Sequence, residues 1–333
     1  MSFKKRLKNL FYHNKIRGRS DYTSLNTIEI YADNLVHNFH TLQKLHTTNH
    51  APHTIIPVLK SNAYGHGLRE VCQIIQKFIP QDQCPLIAVD SYPEYQIVRD
   101  TTDRDILILG EQLPSNYHLY DPRRTHFAVG SLTNIQALID TDKPRNIHLF
   151  LNTGMNREGF QEQDIPQVIQ LFTSCPPYEG GRSEATGGFC HNKIKIVGIM
   201  SHFANADQIN DSYNQTQIDR FKTIYQQIEE GLSLTAYSCQ PQYIHINNSA
   251  GISKNHDPFF TASRAGLAFY GYNPLESDDP HYPDYHDLRP ALRLISTITS
   301  IQHLQPGESI SYGHKWTTSE PTTIATIPFG YHE

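Results

Sequence analysis

The sequence has no stretch approaching the ~20 consecutive apolar residues that a membrane-spanning helix needs, and its mean hydropathy is −0.51. No membrane span is expected. An excess of positive charge is missing as well: the formal net charge is −5, which leaves no bulk electrostatic case for nucleic acid. Cysteine is scarce. The five residues Cys72, Cys84, Cys175, Cys190 and Cys239 form no C-x-x-C pair, and an odd, scattered set fits a reducing cytoplasm better than a disulfide framework. Cys175 and Cys190 flank a Pro/Gly/Ser-rich loop, but two thiols without a third ligand do not make a metal site, and none is expected. No G-x-G-x-x-G follows the first strand-like run, which weighs against an open dinucleotide-binding sheet.

At 333 residues the length suits one large or two ordinary domains. Residues 1–24 read as a basic arm, in which Lys4, Lys5, Arg6, Lys8, Lys15, Arg17 and Arg19 surround Phe3, Leu7, Leu10 and Phe11. Those four apolar residues share a helical face. A short amphipathic helix on an anionic surface therefore competes with a plain solvated arm, the simpler reading. The apolar stretch is too interrupted for a secretory signal.

A strand-like alternation follows at Thr27 to Tyr31, and then a helical pattern carries Leu35, Phe39, Leu42 and Leu45 on one face with Asp33 as a cap. Short apolar runs then recur at Ile55–Leu59, Leu86–Val89, Ile106–Leu109, His126–Val129, Ile147–Leu151, Val197–Met200, Tyr243–Ile246 and Ala265–Phe269. Strands alternating with helices argue for a parallel sheet, and eight of them in roughly 220 residues argue for a closed (β/α)8 TIM-type barrel. The expected fold class is α/β, with the barrel over residues 25–275. Beyond an acidic, linker-like stretch, Ala291–Ile301 and Thr323–Ile327 alternate with period two around a turn at Gln305–Glu308. Residues 276–333 are therefore expected to begin a C-terminal β-domain. Two or three strands make a poor domain, so this one is expected to be incomplete.

In such a barrel, chemistry lies at the C-terminal ends of the strands. Lys60 closes the first run. Taken alone, it reads as a strand cap that reaches water. A partly desolvated lysine, however, favours its neutral amine, which is nucleophilic and can form a Schiff base with an aldehyde. The same rim collects Asn152, Arg157, His202, His245, Asn248, Ser249, Arg264, Gly266 and Leu267, with Tyr64 in the turn after Lys60. The loops after strands seven and eight are the usual phosphate position. There Asn248-Ser249-Ala250-Gly251 offers a hydroxyl and amides, and Gly266 permits close backbone approach. An aldehyde that carries a phosphate, pyridoxal 5'-phosphate, would satisfy both the lysine and the cradle.

These segments resemble the alanine racemase family, a fold-type III group of pyridoxal-phosphate enzymes. The resemblance is carried by Val58-Leu59-Lys60-Ser61-Asn62-Ala63-Tyr64-Gly65-His66-Gly67, by Thr153-Gly154-Met155-Asn156-Arg157, by Gly198 to Asp207, by Asn248-Ser249-Ala250 and by Arg264 to Gly271. Ser311-Tyr312-Gly313 and Pro328-Phe329-Gly330-Tyr331 extend it into the C-terminal region. The lysine segment is highly specific, and each of the others alone would be weak. The resemblance implies the interconversion of L- and D-alanine for peptidoglycan in the cytoplasm, by a homodimer with shared sites. Lys60 would hold the cofactor and act as one catalytic base, with Tyr312 from the second subunit as the other. Arg264 would contact the pyridine nitrogen, His202 would pack on the ring, and His245 would stand behind Arg264. Tyr64, Asn248, Ser249, Gly266 and Leu267 would hold the phosphate. Arg157 and Tyr312 would face the substrate.

The sequence departs from the family at Phe150, where many members carry a lysine modified by carbon dioxide; Asn152 follows where they carry an acid. The anion expected beside Arg157 is thus absent. That departure leaves room for a broader or serine-directed racemase. A cofactor-binding barrel without catalysis is a third reading, and it is opposed by Tyr312 and its β-strands. A decarboxylase of the same barrel type lacks any matching diamine motif. The resemblance also implies further C-terminal sequence, so the chain is expected to be a fragment.

Overall fold

The computed structural model describes residues 23–46, 53–173, 193–209, 212–233 and 241–330. The basic arm up to residue 22, the loop with Cys175 and Cys190, Cys239, and Tyr331 lie outside the described residues. Two compact units are present, Ala32–Pro290 and a second formed by the chain up to Tyr31 together with the chain from Ala291. The boundaries read from the sequence were 24/25 and 275/276. No described helix is long and apolar enough to cross a membrane.

The first strand, β1 (Asn26–Ile30), belongs to the smaller unit and pairs antiparallel with β10 (Leu292–Ser296). The larger unit begins with a helix over Ala32–His46. Its strands are β2 (Thr54–Pro57), β3 (Leu86–Val89), β4 (Asp105–Ile108), β5 (Thr125–Val129), β6 (Arg145–Phe150), β7 (Ile194–Met200), β8 (Tyr243–His245) and β9 (Ala262–Ala265). β3 to β8 form one parallel run, and β2 pairs parallel with β9. Two seams join these sheets. Val58 bridges Ala88, with the Leu59 amide donating to Ala88 O at 2.8 Å. On the other side, Thr261 N–H donates to Ile244 O at 2.9 Å and Arg264 N–H to Asn247 O at 3.0 Å. The eight strands thus close into the expected barrel.

Strand periodicity decides what fills it. Side chains two apart share a face, so Ile56 and Val58, Leu86 and Ala88, Leu107, Ala128, Phe150, Met200, Tyr243 and Ala262 meet as one interior cluster. Outside, amphipathic helices cover the strands. The helix Leu68–Phe78 buries Leu68, Val71, Cys72, Ile74 and Ile75 on one stripe, each worth about 1.5–3 kcal/mol for a large aliphatic side chain. The helix Tyr92–Arg99 is started by a capping box between Ser91 and Glu94.

The last barrel strand differs from the sequence reading. It is Ala262–Ala265, and the run expected as strand, up to Phe269, is instead a 3₁₀ turn over Leu267–Tyr270. Gly266 leaves the extended region at φ −93°, ψ −100°, and Gly271 ends the turn in the left-handed region at φ 91°. Hydrophobicity alone did not reveal the switch from period two to a turn.

In the smaller unit the expected run Ala291–Ile301 is two strands with different partners. β10 ends at Ser296, and β11 (Ser300–Leu304) pairs antiparallel with β12 (Thr322–Thr326). The turn after β11 places Gly307 at φ 90°, with the Glu308 amide donating to Gln305 O at 3.2 Å.

Candidate active site

The turn that carries Lys60 is built against backbone preference. Ser61, Asn62, Ala63 and Tyr64 hold φ values of 55°, 53°, 53° and 54°, a run of left-handed residues that costs roughly 1–2 kcal/mol each for residues with a Cβ. Neighbouring groups hold it. Glu94 Oε1 accepts from the Ser61 amide at 2.7 Å, and Asn62 Oδ1 accepts from the Leu68 amide at 2.9 Å. Ala63 is fully buried beneath it. Lys60 therefore stands just past β2, on the rim, with Nζ 4.0 Å from Asp90 Oδ1.

A cavity of about 620 Å³ opens there. Lys60 and Tyr64 line it from the turn after β2, Arg157 from the segment after β6, and His202 from the segment after β7. Asn248 and Ser249 after β8, Arg264 on β9, and Gly266 and Leu267 beyond it line it too, whereas His245 and Tyr312 of the set read from the sequence do not. Asp90, Glu158 and Asp207 also line the cavity, and the sequence reading missed them. Asp90 had a usable signal, since it ends the apolar run Leu86–Val89 as Lys60 ends its own.

On one wall, Ser249 Oγ accepts from the amides of Gly266 (3.0 Å) and Ala268 (3.2 Å). A Cβ added at Gly266 would lie 2.6 Å from Tyr64 Oη, so the glycine is what lets the tyrosine reach this wall. Tyr270, fully buried, packs against the Tyr64 ring in a tilted arrangement, 5.1 Å between centroids, and donates to Val58 O at 2.9 Å. Tyr285 Oη donates to Ser249 O at 2.5 Å, fixing the loop from behind.

Arg264 occupies the floor. Its Nη2–H groups donate to Ser201 O (2.6 Å), Ile246 O (3.2 Å) and His202 Nδ1 (3.0 Å). Its Nη1 donates to His245 Nδ1 at 2.5 Å and His245 O at 3.3 Å. Both terminal nitrogens are thereby committed to protein acceptors, which leaves Nε–H as the donor for whatever occupies the cavity. Burial, and then the nearby Arg157, lower its pKa to about 9. His202 is pushed down to about 3 by burial first and then by Arg264, Arg157 and Lys60. His245 is likewise held well below the ordinary range by burial, then by Arg264. Both imidazoles are neutral near pH 7 and accept from Arg264. His245 is fully buried behind the arginine rather than in the cavity wall.

Arg157 was expected to lack an anion. The structure corrects this: Glu158 Oε1 lies 3.1 Å from Arg157 Nε. Phe150 is a buried cavity residue at the departure from the family pattern. Asn152 shapes the turn instead, its Oδ1 accepting from the amides of Gly154 and Asn156, both at 3.1 Å. Tyr312 belongs to the other compact unit, on the short turn Tyr312–His314, with its side chain 98 % exposed.

Comparison with known proteins assigns both units. The profile of the alanine racemase N-terminal domain matches residues 30–274, and that of the alanine racemase C-terminal domain matches residues 291–333. The chain belongs to the alanine racemase family. It is 31 % identical over 276 residues to an alanine racemase of Listeria monocytogenes serotype 4b, covering 82 % of this chain and 67 % of that protein. The alanine racemase of Clostridium novyi is 30 % identical over 309 residues, covering 91 % and 71 %. Among solved structures, the alanine racemase of Clostridium difficile 630 superposes with a TM-score of 0.76 at 28 % identity, over 93 % of this chain and 74 % of that one. The Bartonella henselae alanine racemase with covalently bound pyridoxal phosphate shares the fold at a TM-score of 0.73 and 21 % identity, over 93 % of this chain and 76 % of that one.

Proposed function

We propose that this chain is a pyridoxal-phosphate-dependent alanine racemase that interconverts L- and D-alanine, supplies D-alanine for peptidoglycan, and works as a cytoplasmic homodimer. The observation that carries the reading is the convergence on one cavity of Lys60, the Arg264 guanidinium and the Ser249–Gly266 cradle. The donor set fits the cofactor. An amine stands on one side, a glycine-opened pocket with a hydroxyl, a phenol and amides on another, and a committed cation with one N–H to spare on the floor. The free, buried thiols of Cys72 and Cys84 support a reducing compartment.

Tyr64, Asn248, Ser249, Gly266 and Leu267 would hold the phosphate, and Lys60 the aldehyde carbon. When bound, the cofactor supplies a covalent handle for the substrate amine and a ring that delocalises the electron pair left on the α-carbon. Arg264 Nε–H would donate to the ring nitrogen without surrendering its proton, because even a pKa of about 9 keeps the guanidinium charged at pH 7. His202, neutral and accepting from Arg264, would pack on the ring face without adding charge. Arg157 would bind the substrate carboxylate, with Glu158 orienting its guanidinium.

Racemisation needs a proton removed from one face of the α-carbon and returned to the other. Lys60 Nζ would serve one face and Tyr312 Oη, from the partner subunit, the other. The location of Tyr312 in a unit of its own, almost fully exposed, supports its service to a second copy. The test gives the purified chain pyridoxal phosphate, heavy water and a panel of L-amino acids. Solvent deuterium at the α-carbon with appearance of the D-isomer, strongest for alanine, is expected. Cofactor bound through Lys60 without any exchange would reduce the reading to a binding protein. A borohydride-fixed adduct persisting in Lys60→Ala would overturn the lysine assignment.

A further inference from the structure

Behind Arg264 the polar contacts do not stop at His245. His245 Nε2 lies 2.7 Å from His148 Nδ1, and His148 Nε2 lies 3.0 Å from His126 Nδ1. His126 Nε2 in turn faces Asp105 Oδ2 at 3.5 Å. All three imidazoles are buried. Asp105 is the first residue of β4 and its side chain is 39 % exposed. A line of polar groups thus crosses the barrel interior, from the floor of the cavity to the N-terminal end of the sheet, through positions that aliphatic residues fill on other strands.

The two ends of this line dictate its direction. A guanidinium can only donate, so His245 Nδ1 must accept and the His245 proton must sit on Nε2. That proton makes His148 Nδ1 an acceptor, which puts the His148 proton on Nε2, and the same logic passes to His126. The last nitrogen, His126 Nε2, then stands 3.5 Å from a carboxylate oxygen of Asp105, which can only accept. Every bond runs the same way, and no partner is donor against donor. Burial, His126 and Arg264 hold His148 well below its ordinary pKa, consistent with a neutral ring at that position.

The surrounding backbone makes room for it. A Cβ at Gly198 would meet His148 Nδ1 at 2.3 Å, and the β6–β7 register shifts between Ile147 and His148. Tyr243 stacks flat on the His148 ring, at 5.5 Å and 16°.

We propose that His148, His126 and Asp105 are positioning residues for Arg264: an oriented relay that fixes the tautomer of His245, keeps its Nδ1 an acceptor, and so holds Arg264 with Nε–H facing the cavity. The inference concerns how the ring-nitrogen donor is held, and its link to the cofactor rests on the proposed function. Its first test does not. Nitrogen-15 histidine spectra of the full chain, free of cofactor, should show His245, His148 and His126 all protonated on Nε2. A proton on Nδ1 of His245 or His148 overturns the relay, whatever the chain catalyses. The second test titrates pyridoxal phosphate into His148→Phe, a variant that keeps a flat ring against Tyr243 but strands the His245 N–H. With the fold confirmed by circular dichroism, cofactor binding should weaken about tenfold and the His245 signal should move. Unchanged affinity together with an unchanged His245 tautomer would overturn the positioning role. If the wild-type tautomers are as assigned but Lys60 takes up no cofactor, the functional reading has failed and the relay has not.

Discussion

The Ser61 amide donates to Glu94 Oε1 at 2.7 Å, and so ties the residue after Lys60 to a helix on the next strand–helix unit. The other oxygen of the same carboxylate accepts from the amides of Asp90 (2.9 Å) and Ser91 (3.2 Å). One side chain therefore fixes both the turn that carries Lys60 and the strand end that carries Asp90. Glu94→Ala should destabilise the chain by about 1–2 kcal/mol through loss of the cap and should also weaken cofactor capture, because four left-handed residues lose their brace. Urea unfolding and a pyridoxal-phosphate titration check the two effects separately. Lost stability with full cofactor affinity would mean that Glu94 is only a helix cap.

Gly266→Ala would bring a Cβ within 2.6 Å of Tyr64 Oη. The phenol must move, and overpacking of this kind costs about 1–3 kcal/mol. Cofactor affinity should fall more than tenfold while the barrel stays folded. Wild-type affinity in this variant would remove Tyr64 from the phosphate site.

Tyr312→Phe should slow α-proton exchange from one alanine enantiomer far more than from the other, since only one face loses its base. Mixing it with Lys60→Ala chains should recover part of the activity when sites are shared between subunits. Equal losses for both enantiomers would argue against two bases, and confirmed mixed dimers without recovery would argue against sharing.

Acid should unfold the chain partly through His202, whose pKa is about 3 in the folded state against an ordinary 6.5 for a solvated imidazole. The folded form keeps the ring neutral while the unfolded form takes a proton. The contribution is therefore complete above pH 6.5 and is lost progressively as pH falls from there toward about 3. The lost stability approaches about 1.4 kcal/mol per pH unit per group. His202→Asn should flatten the dependence of unfolding free energy on pH across that window. An unchanged slope would show that the ring is not buried neutral.

Much of the barrel was legible in the chain because its strands are buried on both faces. Such strands read as apolar runs such as Leu86–Val89 and Ile147–Leu151, and polar residues that end them stand out, as Lys60 does. Leu267–Tyr270 was misread because an apolar 3₁₀ turn packed into a core has the same composition as a strand. Glu94 and Asp105 were invisible as site residues because an acid near a strand start or in a first helical turn is ordinary. What makes them matter is which amide or imidazole the fold brings to them.

Local sequence determined the elements, the rim position of Lys60 and the chemistry available at each strand end, since those depend on neighbours within a few residues. Only the closed barrel decided the rest. Closing the strands into a barrel brought β5, β6, β8 and β9 around one interior and put residues from 126 to 264 into one hydrogen-bonded line. Those relationships depend on register and on the curvature of a closed sheet, which no window of the sequence contains.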